Sequence, residues 1–218
     1  MINRRDIEVM LEEGEGFELE FKRKVSNPQK IAKAMVGFSN TKGGTILFGI
    51  DDDKSVVGVE SEKSEVELIR EVADFHCEPP VEVEIEIVPY KGKDVIAVFV
   101  QESREKPHAV IPNGDSGDAE LQVYIRVNDK TVEASKEVVR ILRSENPDAP
   151  PLRIAIGENE RRLFDFLEKN ERITLKEFSE LVNISKRRAS RTLIQLVRAG
   201  VLRVHTNEKV DYYTRAFD

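Results

Sequence analysis

A proline-rich segment, SENPDAPPL at residues 144–152, interrupts the chain well before its end. Proline has no backbone N–H and restricts the residue before it, so three prolines within nine residues do not suit a helix or an inner strand. The segment also lacks an apolar pattern, and we therefore expect a linker. The sequence predicts a first domain over residues 1–143, the linker at 144–152 and a second domain over residues 153–218.

The two domains differ in charge. The chain has 218 residues and a formal net charge of −7. Residues 155–218 contain 13 Lys and Arg against 10 Asp and Glu, whereas the rest of the chain contains 21 against 31. Only the C-terminal part is net basic, so the two domains should respond differently to a polyanion such as nucleic acid.

The composition predicts an ordered, cytoplasmic protein with no membrane partner. The chain is 39% hydrophobic and 34% charged, and no apolar run approaches the roughly 20 residues that span a bilayer. The N-terminus is charged and lacks the apolar core of a signal peptide. The single cysteine, Cys77, excludes an internal disulfide and a cysteine-rich zinc site.

Before the linker, helical and strand patterns are mixed, which predicts an α+β fold built on a mixed sheet. The predicted helices lie at residues 4–13, 28–40, 65–76 and 134–142. The predicted strands lie at residues 17–21, 45–50, 81–90, 93–100 and 121–127. Lys91 and Gly92 supply the turn of a hairpin between two of these strands.

After the linker, three helical segments precede a hairpin, and this order predicts a small winged helix-turn-helix domain. The last helix begins after Ser185 and ends near Gly200. Its outward residues and the wing supply the predicted nucleic-acid contacts: Lys186, Arg187, Arg188, Arg191, Arg198, Arg203 and Lys209. The alternative is a protein-interaction or dimerisation module whose basic face is only solvated.

Four motifs in the first domain occur in a recognisable order. They are GEGFELEFK, the helix end AMVGFSNTKGG, the strand and turn TILFGIDDD followed by VVGVE, and YIRVNDKTVEAS at residues 124–135. Over roughly residues 10–142 the chain resembles the Schlafen AlbA-like family. It departs from the family pattern at Asn128, where the family usually has glycine.

The resemblance implies two different activities. Prokaryotic members resemble DNA-binding regulators, often carry a winged helix after this domain, and have also been described as divergent ATP-binding proteins. Vertebrate Schlafen proteins are endoribonucleases of structured RNA that use two Glu, one Asp and a divalent metal. By motif position this catalytic and metal-binding triad falls on Glu15, Glu20 and Asp52, with Mg²⁺ or Mn²⁺ as the cofactor. The two-lobed vertebrate core suggests a homodimer for this one-lobed chain.

The residues themselves leave the role of these acids open. On a continuous strand Glu15 and Glu20 would lie about 16 Å apart on opposite faces, so they meet only if the chain bends at Gly14 and Gly16. Otherwise Glu20 is an outward strand residue paired with Lys22. On that alternative the acidic run after residue 50 is an ordinary turn.

Three further features, NTKGGT, His108 and Arg126, suggest a functional role less directly. NTKGGT does not match a phosphate-binding loop, and its glycines suit a tight helix-to-strand turn. His108, in a polar loop, is a candidate for approaching substrate, and Arg126 either binds phosphate or covers the sheet.

The function predicted first is a DNA-binding transcriptional regulator. The alternatives are a metal-dependent endoribonuclease of structured RNA, and a protein-interaction or ATP-binding module.

Overall fold

The computed structural model describes residues 2–112, 120–147, 152, 154–207 and 210–216. The chain divides into two compact units, residues 1–133 and 134–218. The division falls earlier than the predicted linker, because the helix predicted to close the first domain packs against a helix of the second unit.

The first unit is a mixed α+β domain, as the sequence predicts. Its helices are α1 (Arg4–Glu13), α2 (Pro28–Ser39) and α3 (Glu62–Phe75). Its strands are β1 (Leu19–Lys22), β2 (Gly44–Phe48), β3 (Cys77–Glu78), β4 (Val83–Tyr90), β5 (Lys93–Val100), β6 (Ala109–Val110), β7 (Tyr124–Val127) and β8 (Lys130–Glu133).

The main sheet has the order β1-β2-β5-β4. β1 runs parallel to β2, and the other neighbours are antiparallel. Two short pairs, β3 with β6 and β7 with β8, lie outside it. Alternate residues of β2 and β5 enter two different cores, since successive strand side chains point to opposite faces. Ile46 and Val98 pack with α2 and α3, whereas Leu47 and Ala97 pack with Ile7 of α1.

Local sequence signals explain the ends of these elements. Asn3 caps α1 by accepting a hydrogen bond from the Arg5 N–H, and Gly14 ends the helix at a φ of 80°. Pro28 occupies the first turn of α2. Asn128 lies in the β7–β8 turn at a φ of 55°. Asparagine tolerates this left-handed conformation better than most residues, which explains how it stands where the family usually has glycine.

The predicted strand at residues 17–21 is wrong at its start. β1 begins at Leu19, and Phe17 is 36% exposed instead of lying on the buried face. The reason is a turn before the strand, in which the Gly16 N–H donates to the Leu19 carbonyl at 2.9 Å.

The second unit contains the helices α4 (Lys136–Glu145), α5 (Glu158–Lys169), α6 (Leu175–Leu181) and α7 (Lys186–Arg198). The strands β9 (Ile173–Thr174), β10 (Leu202–His205) and β11 (Tyr212–Arg215) form one antiparallel sheet in the order β10-β11-β9. The short strand β9 was not predicted, because two residues give no detectable alternation. Phe178, Leu193 and Tyr213 lie fully buried in the core of this unit.

Candidate nucleic-acid interface

Helix α7 presents most of the predicted basic residues to solvent. Lys186, Arg187, Arg188 and Arg191 are all exposed, and Arg198 is half-buried near the end of the helix. The thirteen residues of α7 include no Asp or Glu. In the part of the chain that the structure describes, none of the four exposed cations forms an ion pair.

The packing of α7 determines which face is basic. Ala189, Leu193 and Leu196 are buried in the core of the second unit. At about 100° per residue, Arg187 and Arg191 project from the opposite side of the helix. The helix begins at Ser185, whose hydroxyl accepts a hydrogen bond from the Arg188 N–H at 3.3 Å.

A polar cluster between α4 and α7 holds the basic helix along one flank, between its buried and its exposed face. The Ser190 hydroxyl donates to the Glu137 carboxylate at 3.0 Å and accepts from Arg140 at 2.8 Å. Arg140 also pairs with Glu137 at 3.4 Å. Ser190 is only 1% exposed, so these bonds satisfy a hydroxyl that would otherwise be buried without a partner.

A second polar contact joins the start of α4 to the hairpin. The Ser135 hydroxyl donates to the carboxylate of Asp211. Burial raises the pKa of Asp211, while the bond from Ser135 opposes that rise. Burial likewise raises the pKa of the neighbouring Tyr213 hydroxyl. The hairpin is therefore fixed to α4 as well as to α7.

The hairpin of β10 and β11 carries Arg203, which is exposed on β10. Lys209, predicted to contact the nucleic-acid backbone, lies outside the described residues. His205, Tyr212 and Arg172, which no sequence pattern singles out as a group, line one hollow together with Arg203. The rings of His205 and Tyr212 stack with centroids 4.8 Å apart, and the Arg172 guanidinium lies 5.1 Å from the Tyr212 centroid. The alternating pattern of β10 and β11 could have placed His205 and Tyr212 on one face of the sheet. Arg172 could not be placed there, because it precedes β9, a strand that was not predicted.

The predicted acidic triad does not form a common site. The Glu20 carboxylate pairs with Lys22 and with Arg126. The Glu15 carboxylate accepts a hydrogen bond from the Phe21 N–H at 2.8 Å, and Asp52 is exposed in a turn. Glu15 and Glu20 are thus tied to different partners around β1.

The other acids of that turn have local partners. Asp51 pairs with Arg23, and the Asp53 carboxylate accepts from the Ser55 N–H at 2.8 Å. The hydrogen bonds from Ser55 lower the pKa of Asp53. These contacts are typical of Asp in turns.

The arrangement of these carboxylates does not match a divalent-metal site, although carboxylate oxygens suit Mg²⁺ and Mn²⁺ chemically. Among the described residues, no group of three or more His, Cys, Asp and Glu is arranged to hold a metal ion. A metal site at Glu20 would have to displace two cations that already neutralise its carboxylate. The described residues therefore do not hold the three carboxylates as ligands of one metal, their catalytic use stays a prediction, and we derive no metal-dependent step.

The remaining candidates, Arg126 and His108, are both buried. Arg126 is 3% exposed and donates to the carbonyls of Gly16 and Asp129 as well as to Glu20, so it lies inside the domain. His108 is 4% exposed, and its Nδ1 donates to the Pro79 carbonyl at 2.8 Å. Neither side chain is presented to a substrate at the surface.

The glycine pair of NTKGGT forms the tight turn between α2 and β2. Gly43 has a φ of 77°, and a Cβ at this position would lie 2.6 Å from the Val100 carbonyl oxygen. Its N–H donates to the Phe38 carbonyl at 2.9 Å. That donor is already used within the fold and is not directed at a phosphate.

A family model described as Schlafen, AlbA_2 matches residues 15–135, more than half of the chain. The chain belongs to the Schlafen AlbA_2 family. Membership in this family points to a role in nucleic-acid binding. The matched range contains all the strands of the first unit and ends at Ser135, the cap of α4.

Two solved structures resemble the AlbA_2 domain. The DIP2311 protein from Corynebacterium diphtheriae matches with 19% identity and a TM-score of 0.43, over 62% of this chain and 29% of that chain. This chain therefore spans less than a third of that protein's length. The N-terminal domain of a protein related to the ATP-dependent DNA helicase RecG, from Nitrosomonas europaea, matches with 18% identity and a TM-score of 0.43, over 62% of this chain and 92% of that chain. At these values neither likeness carries a functional argument.

A search of curated proteins found no match. None of the helices in the described part of this AlbA_2 protein is long and apolar enough to cross a membrane.

Proposed function

We propose that this AlbA_2 protein is a DNA-binding transcriptional regulator whose second unit is a winged helix-turn-helix domain. The observation that carries the proposal is the row of exposed cations on α7, which has no carboxylate of its own. The order α5, β9, α6, α7, β10, β11 is the order of elements expected of a winged helix. In such domains the last helix is the one that enters the major groove.

The basic face of α7 suits duplex DNA in shape and charge. An α-helix fits the major groove, where Arg reads guanine and also binds phosphate. Lys186, Arg187, Arg188 and Arg191 occupy the first two turns, the part of a recognition helix that approaches the base edges. We assign Arg198 and the wing residues Arg203 and Lys209 to contacts with the flanking backbone.

We assign the AlbA_2 domain to dimerisation. A homodimer would bring two α7 helices to one duplex, the arrangement that most helix-turn-helix proteins use on palindromic sites. Sedimentation equilibrium of the full chain tests this assignment, because a monomer at all concentrations would contradict it.

The test of DNA binding is a charge-matched pair of double variants. Arg187→Ala with Arg191→Ala removes two cations from the exposed face of α7. Arg143→Ala with Arg161→Ala removes two exposed cations from α4 and α5 and serves as the control. Affinity for a labelled duplex is measured by fluorescence anisotropy at several salt concentrations.

We expect the α7 variant to bind more weakly, with a slope of log K against log salt reduced by about two, roughly one for each lost phosphate contact. The control variant should keep most of the wild-type slope. Equal slopes for wild type and the α7 variant would refute the assignment of α7 as the DNA-reading helix.

A further inference from the structure

The outward face of the sheet in the second unit carries a stack of three flat side chains. Tyr212 lies in the central strand β11, with its ring parallel to that of His205 to within 5°. The guanidinium of Arg172 also lies over the Tyr212 ring. His205 projects from β10, whereas Arg172 immediately precedes β9, on the other side of β11. The order across the sheet is therefore His205, Tyr212, Arg172.

Strand register places this stack away from the core. Val204 pairs with Tyr213, which in turn pairs with Ile173, and these three side chains pack inward. The next pair along, His205 with Tyr212, must then point outward, since neighbouring residues of a strand face opposite ways. Arg203 and Thr214 form the following outward pair.

Two hollows lie beside the stack. One hollow, of about 870 Å³, includes His205, Arg203 and Thr214. The other, of about 630 Å³, includes Thr174, Asn207 and Val210. Arg172 and Tyr212 line both hollows, together with Lys169, Asn170 and Glu171.

The charge of this face favours a polyanion. The outward residues of the three strands include Arg203 and no carboxylate, and Arg215 lines the larger hollow. Glu168 and Glu171 line the larger hollow and Glu171 and Glu177 the smaller one, and Lys169 lines both. Glu177 is already engaged, because its carboxylate accepts from the Thr174 N–H at 2.7 Å and from the Thr174 hydroxyl at 2.9 Å.

Hydrogen bonds hold the imidazole in its stacked orientation. The Thr214 hydroxyl donates to the Arg215 carbonyl at 3.2 Å, so its oxygen accepts from Nε2 of His205 at 2.9 Å. The stack is therefore organised before any ligand binds, which reduces the entropy lost on binding.

We propose that this face binds a single-stranded stretch of nucleic acid, with unpaired bases continuing the stack on His205 and Arg172. The proposal rests on the nucleic-acid-binding function and adds a second, separate surface to α7. Proteins that bind single strands combine cationic grooves with aromatic and guanidinium surfaces on which bases stack. The bases of a duplex are already stacked on one another and do not offer their faces. The preferred ligand is thus a duplex that carries a single-stranded extension.

Three fluorescent DNA ligands test the proposal: a blunt duplex, the same duplex with a ten-nucleotide extension, and the extension alone. Each is titrated with the wild-type full chain and with Arg172→Ala, Tyr212→Ala and Tyr212→Phe. The phenylalanine variant keeps the aromatic ring and is the matched control. Arg172 is exposed, so its variant remains informative if Tyr212→Ala fails to fold. A 2-aminopurine in the extension reports stacking through quenching of its fluorescence.

We expect the extension to tighten wild-type binding by about tenfold, within the range of one stacked base. Arg172→Ala and Tyr212→Ala should lose this gain and the quenching while keeping the affinity for the blunt duplex, and Tyr212→Phe should retain both. The proposal is overturned if the extension adds nothing to wild-type binding, or if Arg172→Ala weakens the blunt and extended duplexes equally.

The α7 double variant separates this proposal from the proposed function. It should lose affinity for the blunt duplex and still bind the extension alone. If it binds the blunt duplex as the wild type does, the α7 assignment fails, whereas the contribution of the extension still decides the role of the sheet face.

Discussion

The guanidinium of Arg126 lies 2.5 Å from the carboxylate of Glu20, a residue 106 positions earlier in the chain. The Arg126 side chain is 1% exposed and that of Glu20 is 13% exposed, so the pair is largely removed from water. Arg126 also lies over the Phe38 ring, 4.6 Å from its centroid. One side chain thereby joins β1, α2 and β7.

This pairing predicts that Glu20→Gln destabilises the domain. Removing the carboxylate leaves the buried guanidinium without its counter-charge, and breaking such a pair costs about 3 kcal/mol. Glu18→Gln is the matched control, because Glu18 is exposed two residues away. Urea unfolding of both variants measures the difference. Equal stabilities would contradict a structural role for Glu20 and would support its assignment as a ligand or catalytic acid.

Gly43→Ala should also lower the free energy of unfolding. The new Cβ would meet the Val100 carbonyl oxygen in addition to the strain of a φ of 77°. Gly92→Ala separates the two effects, since Gly92 has the same φ and nothing within 4 Å of its Cβ position. We expect a cost of about 1 kcal/mol at Gly92 and a clearly larger cost at Gly43. A cost at Gly43 no greater than at Gly92, measured by thermal or urea unfolding, would argue against the close approach to Val100.

His108 should make the stability of the first unit depend on pH. Burial lowers the pKa of His108, against the opposing effects of the Pro79 carbonyl and of Glu105 and Glu78. Its Nε2 is buried and has no hydrogen-bond partner in the described part of the chain, so adding a proton there would leave a buried donor unsatisfied.

The sign follows from the lowered pKa of His108 in the folded state. The neutral ring stabilises the fold above the ordinary histidine pKa of about 6.5, and this contribution is lost as pH falls through the lower folded-state pKa. Wild type should therefore lose more stability than His108→Gln between pH 8 and pH 5. Parallel pH profiles for the two proteins in urea unfolding would show that His108 does not titrate with folding.

Cys77 should be chemically inert in the folded protein. Burial raises the pKa of the Cys77 thiol to about 12, so almost no thiolate is present at pH 8. We expect its reaction with a thiol-specific disulfide reagent to be slower than in the denaturant-unfolded chain by a factor on the order of a thousand. Rapid reaction in buffer, compared with the rate in denaturant, would mean that β3 opens readily.

The sequence by itself determined the features that depend on local chemistry. The bounds of α1, the cap of α7 at Ser185 and the hairpin turn at Lys91 and Gly92 were all predicted and are confirmed. These features depend on hydrogen bonds and backbone angles within a few residues, and the side chains responsible are adjacent in the chain. The mixed α+β class was predicted for the same reason, since periodicity reports which face of each element is buried.

Only the tertiary structure decided the partners of charged residues that are far apart in sequence. Glu20 meets Arg126 across 106 positions, and Ser190 meets Glu137 across 53. No local pattern reveals such pairings, because the residues around an acid can be the same whether it pairs with a distant cation or binds a metal. The stack of Arg172, Tyr212 and His205 was hidden in the same way, since its members become neighbours only when three strands align in one sheet.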